Sequence, residues 1–308
     1  CHTDCMQILL AAKANINETV LGGNTASLRA AENGEIACAQ VLLEANANEK
    51  KIPDGVHLID AARFGDTARV RALIKANADL MTRDPNGHTA LIAASSEGRV
   101  ECLRLLIVAS ADVNAADQWG NTALIFAALK GQIQCMGLLL NARANVHATT
   151  ETSDTARIKA ATRGHTACVQ MLLDAKADID HKNLGNISAM MLAANFGHTA
   201  CLQLLIDSKA NLSASHSDGG TALIAASDKV QPACMQMLID AKADVNAVFE
   251  AGDTALIIAA NRGSTPGVRM LLDAKAEVNF VGQFGLSALH RAADKGHIQC
   301  LQMLLQAK

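Results

Sequence analysis

Residues 120–146 decide the fold, and they read GNTALIFAALKGQIQCMGLLLNARANV. The segment opens around Thr122 and continues with apolar residues at helical spacing as far as Gly131. A second apolar segment follows and carries a leucine pair at 139–140. Because glycine adopts the positive φ with which many helices end, the segment predicts two short helices joined by a tight turn.

The same pattern recurs along the chain at a nearly constant period. Residues equivalent to Thr122 lie 33 positions apart, except for one interval of 31. An alanine stands five positions after each of these anchors, which predicts that two helix backbones approach closely there. A glycine stands nine positions after eight of the anchors. The anchors are Thr25, Val56, Thr89, Thr122, Thr155, Ser188, Thr221, Thr254 and Ser287.

These hairpins cannot persist alone. Helices of about eight to ten residues are shorter than the roughly 12 to 15 that are marginal in water, so stability must come from stacking each hairpin on its neighbours. The sequence therefore predicts an all-α repeat array. A period of about 34 residues would instead indicate tetratricopeptide repeats, but their Trp, Tyr and Pro pattern is absent from this chain.

Two motifs carry a family resemblance. The segments GHTAL at 87–91 and ADVN at 111–114, together with the period of 33, resemble the ankyrin-repeat family. The resemblance covers essentially the whole chain, as about nine repeats after a half repeat at 2–17. It implies an all-α, ankyrin-type α-solenoid of helix-turn-helix repeats with hairpin-like loops, forming a single array over 1–308. Because the chain begins at Cys1 and neither end is capped, we expect an excerpt of a longer protein.

Some columns depart from the family pattern. Alanine replaces the usual proline after most anchors, and Asn, Arg or Lys replaces the glycine that usually closes the second helix, as at Asn77 and Lys176. One repeat has Val230 in place of the hairpin glycine, followed by Gln231 and Pro232. Because a β-branched residue is poorly suited to positive φ, we predict a reshaped turn at Val230. Proline suits the first turn of the helix that follows.

Composition and charge narrow the function classes. The chain has 27 basic and 30 acidic residues, scattered singly, which leaves no basic patch for nucleic acid. No apolar run reaches the roughly 18 residues that span a bilayer, and no signal peptide is recognisable. We therefore expect a cytoplasmic protein in which this segment contacts neither nucleic acid nor membrane.

Eight of the nine cysteines share one column, thirteen positions after an anchor or its equivalent. Equivalent residues on packed helices lie about 8 to 10 Å apart, beyond the roughly 7 Å Cα separation that a disulfide allows. Pairs such as His165 with Cys168 place two potential ligands on one helix face, but two ligands do not close a zinc site. The column favours buried free thiols in a reducing compartment, with no metal or cofactor, over a metal or redox protein. The eight are Cys5, Cys38, Cys102, Cys135, Cys168, Cys201, Cys234 and Cys300.

No catalytic motif stands out above the repeat background, so we do not expect an enzyme. The family resemblance implies that partners bind to the first helices and loop tips, which line a concave groove. We therefore predict a protein-protein interaction scaffold that binds another protein through this groove. The alternative is a recognition or mechanical arm of a larger enzyme, ubiquitin-ligase subunit or channel.

Candidate contact residues occupy positions that vary between repeats. Trp119 and three phenylalanines lie at such positions, whereas Phe126 is expected in the core and Phe249 and Phe280 in flanking loops. Aromatic anchors are common at interface centres, although Trp119 could instead pack on a neighbouring loop, and each charged residue could serve solvation alone. The predicted partner-binding residues are Phe64, Trp119, Lys130, Arg163, Phe196, Arg262 and Phe284.

Overall fold

The computed structural model describes residues 54–249 and 252–307, and over these residues the protein is all-helical, as predicted. Sixteen α-helices and one short 3-10 segment occupy the described ranges, which contain isolated β-bridges but no strand. The chain divides into an N-terminal unit (Cys1–Thr150) and a C-terminal unit (Glu151–Lys308).

The described part of the N-terminal unit consists of three helical hairpins, and the C-terminal unit has five. The first three are α1 (Asp54–Phe64) with α2 (Thr67–Lys75), α3 (Ala90–Ser96) with α4 (Val100–Val108), and α5 (Ala123–Lys130) with α6 (Ile133–Asn141). The other five are α7 (Ala156–Arg163) with α8 (Thr166–Asp174), α9 (Ala189–Asn195) with α10 (Thr199–Asp207), α11 (Ala222–Asp228) with α12 (Pro232–Asp240), α13 (Ala255–Asn261) with α14 (Thr265–Asp273), and α15 (Ala288–Asp294) with α16 (Ile298–Gln306).

These hairpins correspond to the anchors from Val56 to Ser287. The anchor at Thr25 and the half repeat at 2–17 lie outside the described residues. The count of nine repeats and a half, and the single array over 1–308, therefore stay predictions.

Each hairpin starts and turns for local reasons. Thr122 is extended, with φ −88°, and its Oγ1 accepts the N–H of Ile125 at 3.4 Å, which caps α5. Gly131 ends the helix with φ 71°. The predicted alanine column is confirmed where it is described, since all eight members are fully buried, which lets neighbouring first helices pack closely. They are Ala61, Ala94, Ala127, Ala160, Ala193, Ala226, Ala259 and Ala292.

The residues that close the second helices keep the left-handed conformation although they are not glycine. Their φ values lie between 57° and 69°, and each such residue costs up to about 1 kcal/mol relative to glycine. The substitutions thus lower local stability without changing the fold. The residues at this position in the described repeats that were predicted to replace glycine are Asn77, Arg143, Lys176, Lys209, Lys242 and Lys275.

The predicted reshaping of the turn at Val230 is wrong. Val230 adopts φ 53°, and the N–H of Gln231 donates to the carbonyl of Ala226 at 2.9 Å, the bond that also closes the glycine turns. The packed hairpin on either side holds the valine in a region that it normally avoids. Pro232 does begin α12, as expected.

A small residue in the next repeat accommodates Val230. The residue that follows the hairpin turn of one repeat packs against the hairpin glycine of the repeat before it. At Gly197, for example, an added Cβ would lie 2.4 Å from the side chain of Gln231 in the next repeat. Ser264 holds the equivalent position against Val230 and is buried. Serine leaves the space that valine needs and that a glutamine or histidine would fill.

We expect Val230→Gly to raise the free energy of unfolding by about 1 kcal/mol, because it relieves the left-handed strain. Ser264→His should cost more stability in the chain that carries Val230 than in Val230→Gly, since a histidine already lies against Gly263. Loss of the hydrogen bond that Ser264 Oγ accepts from the N–H of Gly267 is common to both backgrounds. Urea unfolding followed by circular dichroism gives all four stabilities. Additive effects in this double-mutant cycle would contradict the proposed contact.

The predicted column of free thiols is confirmed for the described cysteines, whereas Cys5 and Cys38 lie outside the described residues. Burial raises the pKa of the Cys135 thiol to about 11. The pKa of the Cys168 thiol is also raised to about 11, mainly by burial and to a smaller extent by the neighbouring Cys201. The six free, buried cysteines are Cys102, Cys135, Cys168, Cys201, Cys234 and Cys300.

These thiols should be unreactive until the chain unfolds. At about pH 8 we expect the six described cysteines to react with a disulfide reagent at least about tenfold more slowly in the native protein than in denaturant, because burial keeps the reagent from the sulfur atoms. In Cys135 and Cys168 the raised pKa also lowers the fraction of thiolate. Counting reactive thiols in the two states measures this. Fast native modification at any of the six, identified by peptide mapping, would refute it.

Candidate functional site

A groove of about 540 Å³ lies in the C-terminal unit, between the loop tips and the first helices of successive repeats. The helices α9, α11 and α13 form its floor, and the loop residues Phe249 and Gln283 contribute to the opposite wall. The groove therefore spans three consecutive hairpins, on the side where the family resemblance implied partner binding.

The fourth residue after each anchor forms a row along the floor of this groove. Leu192, Ala225 and Ile258 are its members here, and all three are partly exposed to the groove. The short side chain of Ala225 between two large ones leaves an apolar notch. The other large apolar residues that line the groove are Ile187, Met191, Ile224 and Phe249.

At either end of the C-terminal unit, the same row carries cations. Lys159 places its Nζ 2.6 Å from Asp154 Oδ2, and Arg291 places Nη2 3.4 Å from Asp253 Oδ2. A long basic side chain therefore fits this row without disturbing the hairpin, which makes lysine a suitable probe at the apolar members.

Hydrogen-bond acceptors line the rim of the groove. Asp218, Asp228 and Asp253 contribute carboxylates, and no lysine or arginine is among the described residues that line it. Asn261 Oδ1 is buried and has no hydrogen-bond partner within the described chain. The lining is thus apolar at the floor and rich in acceptors at the edge.

Asp228 is the rim carboxylate that contacts both a lysine and an arginine. Arg262 Nη2 lies 2.5 Å from its Oδ1, and Lys229 Nζ lies 2.9 Å from its Oδ2. Burial acts to raise the pKa of Asp228, but hydrogen bonds from these two cations and their charges outweigh it and lower the pKa. Asp228 is therefore ionised at neutral pH.

The N-terminal unit has a polar cluster on the equivalent side. Arg63 Nη2 lies 2.7 Å from Asp84 Oδ2, and His88 lies between Asp84 at 3.4 Å and Asp117 at 3.7 Å. Burial raises the pKa of Asp60 to about 6, with Asp84 adding to the shift and Arg63 opposing it. This cluster concentrates carboxylates in a partly buried space.

The predicted aromatic contacts are mostly exposed. Trp119 is 45% exposed, Phe196 49% and Phe284 83%. Phe196 stacks on the ring of His198 at 6.1 Å between centroids. Phe284 also has φ 58°, so an unfavourable backbone conformation presents an unpacked aromatic ring to solvent. Phe64, at the end of α1, is only partly exposed.

The predicted charged contacts Lys130, Arg163 and Arg262 are all exposed, at or just after the ends of first helices. The seven predicted residues are divided between the two units. Three of them belong to the N-terminal unit and four to the C-terminal unit, and none of the four lines the groove among its described residues. Phe196 directly follows the lining residue Asn195.

Sequence reasoning missed the floor of the groove. Phe249, expected in a flanking loop, lines the groove. Phe126, expected in the core, is only half-buried and makes an edge contact with His88 at 5.2 Å between centroids. The usable signal was the chemistry of the row four residues after each anchor, which changes between acidic, apolar and basic residues while the adjacent residues are apolar in every repeat except at His290.

Comparison with known families agrees with this architecture. The family model described as ankyrin repeats (3 copies) matches residues 58–150, 157–249 and 248–308. The chain belongs to the ankyrin-repeat family. The ankyrin motif thus accounts for the stacked hairpins of both units and their all-α, ankyrin-type fold. A comparison with curated proteins gives no match.

Two further observations concern the ankyrin repeats as described. None of the described helices is long and apolar enough to cross a membrane. Within the same residues, no three His, Cys, Asp or Glu side chains converge closely enough to hold a metal ion. Ankyrin repeats are generally protein-protein interaction modules.

Proposed function

We propose that this chain binds a partner protein through the groove of its C-terminal unit, with further contacts from the loop tips and helix ends of both units. The observation that carries the proposal is the apolar notch over Ala225, which opens to solvent between Leu192 and Ile258. An apolar concavity with a polar rim is the usual form of a binding site. The role proposed is binding and not catalysis.

The exposed aromatic residues support the proposal. Trp119, Phe196 and Phe284 are large apolar groups held in solvent, where they contribute little to the packed core. Aromatic and arginine side chains dominate the energy of many interfaces. We propose that these three contact the partner together with Phe64, Lys130, Arg163 and Arg262.

Blocking the groove tests this function. We expect Leu192→Lys combined with Ile258→Lys to reduce partner capture at least about tenfold, because two long cations then occupy the notch. The hairpins should remain folded, since Lys159 and Arg291 hold the same row elsewhere. The measurement is quantitative affinity capture from the native cell with the tagged full chain.

The matched control is Ile298→Lys, which makes the same change at an exposed position on α16 outside the groove. A partner lost with the groove variant and kept with the control supports the proposal. Equal capture by all three chains, with unchanged circular dichroism, would exclude this groove as the binding site. A triple substitution of Trp119, Phe196 and Phe284 then tests the loop-tip contacts separately.

The location and context of this function are also proposals. Six buried free thiols are compatible with a reducing cytoplasm, where disulfides are rare. A protein in which this chain is the recognition arm of a larger enzyme, ubiquitin-ligase subunit or channel would use the same groove, so the capture experiment applies to it equally.

A further inference from the structure

In the C-terminal unit, negative charges line the groove and positive charges lie outside it. The residues that line the groove include Asp218, Asp228 and Asp253 and no lysine or arginine in the described part of the chain. Outside the lining, the helix ends carry a basic row. That row consists of Arg163, Lys229, Arg262 and Lys295, all exposed.

Two of these cations are already engaged by Asp228, which Lys229 and Arg262 contact at 2.9 and 2.5 Å. Arg291 approaches Asp253 at the longer distance of 3.4 Å. Both cations on Asp228 are about half exposed, so their ion pairs are screened by water and exchange readily with a competing cation. Asp218 is contacted by His216 Nδ1 at 2.5 Å and forms no ion pair with a lysine or arginine of the described ranges.

The floor below these acceptors suits an aliphatic stem. Leu192, Ala225 and Ile258 line a notch within a groove of about 540 Å³, which admits a long side chain. Asn261 Oδ1 is buried beside it with no donor from the described chain. A side chain with a long apolar stem and a terminal N–H donor would fill the notch and supply the missing hydrogen bond.

We propose that the partner inserts a lysine or arginine side chain into this groove, with its aliphatic stem on the floor over Ala225 and its cationic end among Asp218, Asp228 and Asn261. The partner is therefore a protein that presents a basic segment. This inference rests on the proposed function, because it names the chemistry of the partner at the same groove. The apolar floor holds the stem, and the acceptors select the charge.

The test uses a random peptide display library panned on the full chain. Peptides that bind the wild type but not the chain with Leu192→Lys and Ile258→Lys are groove-dependent, and we expect them to share a lysine or arginine. One such peptide is then synthesised with that residue intact, replaced by norleucine, and replaced by glutamate. Fluorescence anisotropy with the full chain gives each dissociation constant.

We expect substitutions of Asp218 and Lys229 to change the affinity for the basic peptide in opposite directions. Asp218→Asn should weaken the basic peptide about fivefold, because the charge is removed while the side-chain oxygen remains. Lys229→Gln should strengthen it about twofold, because a competing cation leaves Asp228. Norleucine should weaken binding about five- to tenfold and glutamate more. Circular dichroism confirms that each variant is folded.

Two kinds of result would overturn the inference. The first would leave the proposed function intact, and the second would also exclude the groove as the binding site. Groove-dependent peptides that are acidic or uncharged, or an affinity unchanged by Asp218→Asn, would refute the basic segment and leave the proposed function intact. A library that yields no groove-dependent peptide would remove both the basic segment and this groove as the binding site.

Discussion

Replacing Arg157 by leucine is expected to raise the free energy of unfolding by about 2 to 4 kcal/mol. Arg157 is 1% exposed, and none of its guanidinium nitrogens has a hydrogen-bond partner within the described chain. Burial lowers its pKa to about 10, with Asp178 and Asp180 opposing the shift, so it remains charged at neutral pH. The chain therefore buries an unpaired cation, which leucine would remove.

The neighbouring repeats show that leucine fits this position. Leu91, Leu124, Leu223 and Leu256 hold the equivalent place, two residues after the anchor, and each is 1% exposed. The measurement is the urea concentration at which half of the full chain is unfolded, monitored by circular dichroism.

Arg163→Leu is the matched control, since it makes the same change at an exposed position of α7 and should alter stability by no more than about 0.5 kcal/mol. The reverse substitution Leu223→Arg should destabilise the fold. A midpoint that is unchanged or lower in Arg157→Leu would show that the structure compensates the buried charge.

The second large effect concerns Asp60 and pH. Because burial raises the folded pKa of this carboxyl from 3.8 to about 6, its ionisation opposes folding. Below the unfolded value it is protonated in both states and carries no penalty. Its unfavourable contribution develops as pH rises from 3.8 to about 6 and is complete above that range.

We therefore expect Asp60→Asn to be more stable than the wild type by about 2 to 3 kcal/mol at about pH 7.5. The difference should shrink to about 0.5 kcal/mol at about pH 4, where the carboxyl of the folded wild type is neutral and that of the unfolded wild type is about half ionised. Urea midpoints at the two pH values give the comparison. Asp84 contributes in the opposite direction, because hydrogen bonds from His88 lower its pKa despite burial, but that contribution is common to both chains.

Asp112→Asn serves as the control for this experiment, since that carboxylate is exposed and its Oδ1 accepts the N–H of Asn114, as an amide oxygen also can. A stability gain in Asp60→Asn that is the same at both pH values would contradict the assignment, because it would arise from packing and not from ionisation.

Much of the fold could be predicted because it is local and repeated. Thr122 caps a helix, Gly131 ends it and Ala127 admits a close neighbour, and the same residue types recur at the same spacing. The burial of the thiols could also be predicted, because the cysteines share one position of the repeat. The turn at Val230 could not, because valine by itself disfavours positive φ and only the packed hairpins around it enforce that conformation.

The candidate site could be predicted only in outline. The positions that vary between repeats include Trp119, Phe196 and Phe284, which are exposed, and their contact with a partner stays a prediction. The groove floor was missed, because a residue such as Phe126 or Ile258 looks like core when a helix is considered alone. Whether a residue faces the groove depends on the neighbouring repeats, which the pattern of one helix does not contain.

The sequence by itself therefore determined the hairpin, its period, its caps and the need for stacking, since each depends on contacts within one repeat or on a column shared by all. The tertiary structure alone decided which side chains share a space: the notch over Ala225, the cations on Asp228, the burial of Arg157 and the environment of Asp60. The physical reason is that solvent exposure and electrostatic environment are properties of several packed repeats together. No single repeat carries them in its own residues.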